Sequence, residues 1–474
     1  MGIVHVLGID SSTQSTKALV VEAASGRVVA DGKAPHPQGT EVDPREWWRA
    51  AGEAVERALA SAPGPVSAVS VAGQQHGMVA LDAEGEPVRD ALLWNDTRSA
   101  PQADALREKH GTGELARRVG SVPVPSFTLT KLAWLAENEP HNADRADRVL
   151  LPHDWLTWLL TGRPETASTD RGDASGTGYF DPSSGSWLPD LLAETTGRRH
   201  RLPEVLGPAE AAGQVRSAPS GASGLEGALL GAGTGDNMAA ALGLGAEPGD
   251  VVVSLGTSGT AFAVSERPAA DETGAVAGFC DATGRYLPLV CTLNAAQVLT
   301  STARMLGTDL AGLDRLALAA EPGAGGLALL PYLAGERTPN LPDAAGTLTG
   351  IREGSATPEN LARAAVEGML CGLADGIEAL RAVGTGVRRV LLVGGAAESE
   401  AVRAVAPMLF GVEVRIPEPG EYVALGAAKQ AAWVASGSAE PPDWPLSAHG
   451  REPEPGGDEI LRAYRRARHQ VHGL

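Results

Sequence analysis

Two hydroxyl- and glycine-rich turns, about half of the 474-residue chain apart, constrain this sequence most. The first is Asp10-Ser11-Ser12-Thr13-Gln14-Ser15-Thr16, set between the apolar runs 3–9 and Ala18–Val21. The second is Ser254-Leu255-Gly256-Thr257-Ser258-Gly259-Thr260, set between Val251–Val253 and Ala261–Val264. Overlaid, Thr13 meets Thr257 and Thr16 meets Thr260. Each reads as strand, tight turn, strand. A unit that recurs half a chain later points to an internal duplication, and so to two related halves. A chain of this length carries two or more folding units and buries a core without disulfide or metal staples.

The segments between the turns alternate strand and helix, which predicts an α/β fold. A third strand is expected near Val28–Ala30. Asp43-Pro44 opens a helix: Asp caps it, Pro suits its first turn, and Trp47, Trp48, Ala51, Val55 and Leu59 form its apolar stripe. Val66–Val71 is a strand that runs into Gly73-Gln74-Gln75-His76-Gly77. A long helix is expected from Pro358 to about Leu380. The strand Arg389–Val393 leads into Gly394-Gly395-Ala396, and Leu425–Val434 is a closing helix. The Pro- and Gly-rich stretch near 437–457 reads as surface before a short terminal helix.

Composition removes several classes. The formal charge is −19 and no run of Lys or Arg occurs, so a nucleic-acid partner is not expected. The three cysteines, Cys280, Cys291 and Cys371, are widely spaced and odd in number, which reads as reduced thiols in a cytoplasmic protein. The N-terminus lacks the pattern of a signal peptide, and no segment offers ~20 unbroken apolar residues, so no membrane partner is expected. There is no GxxxxGK[ST] sequence and no HRD or DFG set, which excludes P-loop and protein-kinase chemistry.

Several short stretches carry candidate chemistry. Small residues in the two turns let backbone N–H groups approach phosphate oxygens, and Asp10, at a strand end, is placed to hold Mg²⁺ directly or through water. Two ordinary hairpin turns are the competing reading. Gly394 and Gly395 either admit an adenosine moiety against backbone or simply make a tight strand–helix turn. Asp236, in Gly233-Thr234-Gly235-Asp236-Asn237, is either a general base for a substrate hydroxyl or the N-cap of an Ala-rich helix from Met238. Gln75, His76 and Trp94 sit at strand ends, where polar side chains read hydroxyl groups. His76 as a turn residue and Trp94 as core are the alternatives. The Glu336-Arg337 pair reads as a structural ion pair.

As a set, GIDSSTQSTK, DPREWW, VAGQQHG, LLWNDTR, LLPHDWL, GTGDNMAAALGLG, SLGTSG, LPYLAGERTPN, LVGGAAESE and ALGAAKQA resemble the FGGY family of carbohydrate kinases over nearly the whole chain. The resemblance implies a two-domain actin-like ATPase fold of ribonuclease-H-like halves around a central cleft. Residues 1–245 would be mainly sugar-binding and 246–474 mainly ATP-binding. It implies ATP and Mg²⁺ as cofactors, with Asp10 at the metal and Asp236 as base. Thr13, Lys17, Gly256, Thr257, Gly394 and Gly395 would hold the nucleotide, and Gln75, His76, Trp94 and Asn237 the sugar. The GQQHG and WNDTR stretches favour D-xylulose as substrate and D-xylulose 5-phosphate as product. A kinase of another ketose or polyol, such as ribulose or xylitol, is the alternative, and an actin-like ATPase without a sugar substrate is a remoter one. Gln75 departs from the Met usual in the pattern, Ser11-Ser12 replaces the commoner Leu- or Ile-Gly, and Asn340 stands where His is usual. The expected partner is a small-molecule sugar, and a homodimer is left open.

Overall fold

A computed structural model describes residues 3–220 and 222–474. In chain order, the elements that matter here begin with β1 His5–Ser11, β2 Ser15–Glu22, β3 Val28–Pro35, α1 Pro44–Ala60 and β4 Val66–Gly73. β5 Ala211–Gln214, β6 Leu229–Gly231 and α2 Asp236–Gly243 follow. Then come β7 Asp250–Leu255, β8 Gly259–Ala263, β9 Tyr286–Thr292, α3 Pro358–Ala382, β10 Arg389–Val393 and β11 Glu413–Pro417. The last elements are α4 Tyr422–Ser436, β12 Ala448–Arg451 and α5 Gly457–His472.

These elements form two compact units. Unit 1 takes the chain up to Ala246 and adds Glu266–Leu287 and Glu421–Leu446. Unit 2 comprises Glu247–Ser265, Pro288–Gly420 and Ser447–Leu474. In unit 1 the strand order is β5-β6-β4-β1-β2-β3. β1, β2 and β3 are antiparallel neighbours, while β4 and β6 run parallel to β1. In unit 2 the order β9-β8-β7-β10-β11-β12 repeats this plan: an antiparallel β7-β8-β9 meander, then β10 and β11 parallel to β7. Each sheet even ends on an antiparallel edge strand, β5 and β12. The turns matched in sequence are the β1–β2 and β7–β8 connections, so the duplication seen as a motif is a duplication of topology.

Three expectations change in extent. β3 runs on to Pro35, the terminal helix, expected to be short, has 16 residues as α5, and α2 begins at Asp236 rather than Met238. α1 starts as expected, with Asp43 as N-cap accepting from the Arg45 N–H.

β1 is buried along its whole length. Successive side chains of a strand face opposite ways. Leu7 and Ile9 therefore join a core with Trp47, Ala51 and Val55 of α1, while Val6 joins Ala424, Ala428 and Ala431 of α4. Gly8 and Asp10 lie on the α4 side by the same alternation. A Cβ on Gly8 would come 2.0 Å from the Ala424 carbonyl oxygen and 2.4 Å from the Ala428 nitrogen. α4 also meets α2 backbone to backbone: a Cβ on Gly426 would sit 1.8 Å from Ala239 O, and one on Gly243 2.2 Å from Tyr422 O. These approaches leave no room for a methyl group.

Gly426→Ala should therefore cost about 2–4 kcal/mol of unit 1 stability in denaturant unfolding, because overpacking moves backbone rather than a side chain. Gly386→Ala is the control, since a Cβ there meets nothing within 4 Å. Equal midpoints for the two variants would contradict the packing described.

Candidate active site

In unit 1 the first turn is closed by the Ser12 N–H donating to Ser15 O at 3.1 Å, and His36 N–H donates to Gln14 O at 2.8 Å. His36 Nε2 lies 2.8 Å from Thr16 Oγ1, so the ring braces the turn from within. Asp10 is 1 % exposed. Ser12 Oγ donates to its Oδ1 at 2.5 Å. Lys17 Nζ is 3.8 Å from its Oδ2 and 2.5 Å from Glu421 Oε2. Burial outweighs Ser12 and Lys17 and pushes the Asp10 pKa up to about 6.

Asp236 is not the N-cap of α2. That position belongs to Gly235, which offers no side-chain bond, and Asp236 is the first helical residue. Its carboxylate is thus available for other work, although Asn237 engages half of it. The Asn237 backbone N–H and Nδ2 both donate to Asp236 Oδ1, at 2.8 and 2.9 Å. Asn237 Nδ2 also donates to Gln75 Oε1 at 3.0 Å. Burial, then the charges of Asp10 and Asp173, push the Asp236 pKa up to about 7. The turn before it is held from two sides. Thr234 Oγ1 donates to Asp170 Oδ2 at 2.7 Å, and Gln430 of α4 pairs with both backbone groups of Gly233, at 2.9 and 3.1 Å.

The other unit 1 candidates gather around these groups. Trp94 Nε1 donates to Thr13 Oγ1 at 2.9 Å, and Trp94 is half-buried rather than core. His76 adopts a left-handed backbone at φ 66° and stacks on Phe127 with centroids 4.8 Å apart. His76 Nδ1 lies 2.6 Å from Gly176 O. A carbonyl oxygen only accepts, so Nδ1 carries the proton there.

One buried cluster escaped the sequence reading. His153 is fully buried, with Nδ1 2.7 Å from Asp173 Oδ2 and Nε2 3.1 Å from Asp154 Oδ1. Burial pulls the His153 pKa down, but Asp154, Asp173 and Asp170 outweigh it and hold it at about 9. His153 is thus enclosed by three carboxyl groups that favour its protonated form. Its stretch was among the family-like motifs, and Asp154 beside it was the one local signal; Asp170 and Asp173 arrive only with the fold.

In unit 2, β7 and β10 deliver the other candidates to one groove. Its walls include Leu255, Gly256, Thr257, Leu299, Thr300, Leu313, Gly395, Ala396 and Ser399. The carbonyls of Gly256 and Thr257 accept from Ala296 and Ala295 N–H at 2.9 and 3.1 Å, which fixes the second turn. The two glycines of Gly394-Gly395 differ. Gly394 has φ 93° and a Cβ there would lie 2.7 Å from Leu255 O, so it is a packing glycine. A Cβ on Gly395 meets nothing within 4 Å, so it forms open wall. Glu336 is structural as expected, but through amides: it accepts from Leu293 N, Asn294 Nδ2 and Arg337 N.

Among the described residues, no group of three or more His, Cys, Asp or Glu could hold a metal alone. Mg²⁺ bound together with nucleotide phosphates needs only one or two carboxylates. Asp10, a hard oxygen ligand near the end of β1, fits that need. No described helix is long and apolar enough to cross a membrane.

The raised Asp236 pKa has a stability consequence. A group whose folded pKa of about 7 exceeds its ordinary 3.8 stabilises the fold at low pH and loses that contribution as pH rises through 7. Asp236→Asn should therefore unfold later than the parent at pH 8, by on the order of 1–2 kcal/mol, with a smaller gain at pH 5. Thermal melts at both pH values check this, and a variant less stable than the parent at pH 8 contradicts it.

Comparison with known proteins agrees with this geometry. The model for the N-terminal domain of the FGGY family of carbohydrate kinases matches residues 5–243, and that for the C-terminal domain matches 251–435. The chain is similar to a xylulose kinase of Streptomyces coelicolor, 51% identical over 438 residues, 91% of this chain and 88% of that one. It is 49% identical, over the same shares, to a xylulose kinase of Streptomyces rubiginosus. The crystal structure of xylulose kinase from Bifidobacterium adolescentis superposes with a TM-score of 0.91 at 46% identity, over 98% of this chain and 99% of that one. With both family domains matched across most of its length, the chain belongs to the FGGY family of carbohydrate kinases.

Proposed function

We propose that this kinase transfers the terminal phosphoryl group of ATP to the C5 hydroxyl of D-xylulose, giving ADP and D-xylulose 5-phosphate in the cytoplasm. Similarity to xylulose kinases over about nine-tenths of the chain supports the substrate. The observation that carries the mechanism is Asp236: a helix-start carboxylate with a pKa near 7 and one oxygen already engaged by Asn237.

The sugar is held mainly by residues 1–245. Trp94 offers an apolar face to the carbon chain, and His76 and Asn237 offer hydrogen bonds to its hydroxyls. The nucleotide is held mainly by residues 246–474, in the groove of Gly256, Thr257 and Gly395. In unit 1, Thr13 of the first turn and Lys17 of β2 are the groups suited to phosphate oxygens. Asp236 accepts the proton of the C5 hydroxyl as its oxygen bonds to the terminal phosphorus and the bond to ADP breaks. A base with a pKa near the working pH takes up and releases its proton readily. Asp10 would hold Mg²⁺, which supplies positive charge to the phosphate oxygens when bound.

Asp236→Ala should lower kcat by roughly 10²–10⁴ with ATP binding little changed. Wild-type turnover should fall below about pH 7, as Asp236 becomes protonated. Asp10→Ala should abolish turnover or raise the Mg²⁺ requirement while sugar binding persists. A coupled assay over D-xylulose, D-ribulose, xylitol, glycerol and D-gluconate should rank D-xylulose first. Glycerol or gluconate used equally well would overturn the substrate, and normal turnover in Asp236→Ala would overturn the base.

A further inference from the structure

Gln75 was expected at the sugar, and its surroundings also join it to Asn237. The residue is 5 % exposed, and its Cγ and Cδ pack against Gly235, where a Cβ would lie 2.8 and 3.2 Å away. Its Nε2 is shut off from solvent, with no hydrogen-bond partner. Its Oε1 accepts from Asn237 Nδ2 at 3.0 Å.

The bond fixes more than Asn237. Asn237 Nδ2 has two protons, and both are used: one on Gln75 Oε1, the other on Asp236 Oδ1 at 2.9 Å. The carboxamide therefore cannot flip without breaking both bonds. Its oxygen is the part left to accept from a ligand. Asp236 Oδ1 receives this bond and the Asn237 backbone N–H, so the proton of a substrate hydroxyl falls to Oδ2.

We propose that Gln75 is a positioning residue, which acts through Asn237 to set the rotamer of Asp236 and so to choose the oxygen that serves as base. The inference rests on Asp236 as base. It also gives a physical role to the residue that stands where the family pattern has Met. A Met fills the volume but accepts no comparable bond from Asn237, so the orienting link is specific to chains with an acceptor at this position.

The test is a double-mutant cycle with Gln75→Met and Asn237→Ala, reading kcat, the sugar KM, the melting temperature and the D-xylulose to xylitol ratio of kcat/KM. Gln75→Met should lower kcat about 10-fold on both sugars, through misorientation of the base, and leave the sugar KM and the ratio unchanged. Residues that act through one another are not additive, so adding Gln75→Met to Asn237→Ala should change kcat by less than about 2-fold. A changed sugar ratio, or additive losses, would overturn the proposal and return Gln75 to the substrate. If Gln75→Met does not fold, Asn237→Ser cuts the same bond at its part-exposed end and must lower kcat alike; an unchanged kcat there overturns the proposal. Asp236→Ala, run alongside, separates the cases: its retained turnover would sink the base itself, whereas its loss beside a normal Gln75→Met sinks only the positioning role.

Discussion

Backbone packed on backbone around α4 holds unit 1 in its working form. Ala424 O lies against Gly8 of β1, Tyr422 O against Gly243, and Gly426 against Ala239 O of α2. β1 carries Asp10 to its end, and α2 begins with Asp236. One helix, from far along the chain, thus references both carboxylates to the same rigid surface. Only glycine permits approaches of this kind, because any Cβ would overlap the opposing carbonyl. The same helix sends Gln430 to both backbone groups of Gly233, which fixes the turn just before Asp236.

That rigidity matters because the site is electrostatically unfavourable. Asp10, Asp154, Asp170, Asp173 and Asp236 all have raised pKa values, each for burial first. His153 offsets some of this charge, and Lys17 some more. Carboxylates left to themselves would turn outward to water. Here the packing of α4, α2 and β1 supplies the stability that the acids cost, and it keeps Asp236 where burial and its acidic neighbours push its pKa up. Stability traded for a perturbed group is a common mark of catalytic sites.

Much of the fold was legible because local signals agreed with one another. Asp43-Pro44 gave the start of α1, and the two matched turns gave the paired strands of both sheets. The share of unit 1 built from Glu421–Leu446 was not legible. α4 reads as any small-residue helix, and its partners Gly8 and Ala239 lie far away in sequence. In the site, Asp10 and Asp236 stood out by position at a strand end and beside glycines. The N-cap reading of Asp236 failed because Gly235 supplied the extended residue before the helix. Gln75 was legible as polar but not as enclosed, since the wall that covers it comes from Gly235. His153 was not singled out, because only Asp154 stands beside it in the chain, and folding brings Asp170 and Asp173 to it.

Family membership narrows the chemistry to phosphoryl transfer onto a carbohydrate, and the central claim is that D-xylulose is that carbohydrate. Phosphorus NMR of a reaction with ATP, Mg²⁺ and D-xylulose tests it most directly. The account predicts that a phosphomonoester on C5 of the sugar grows one for one with ADP, and that ADP barely forms without sugar. Inorganic phosphate released at the same rate with or without D-xylulose, and no sugar ester, would contradict it.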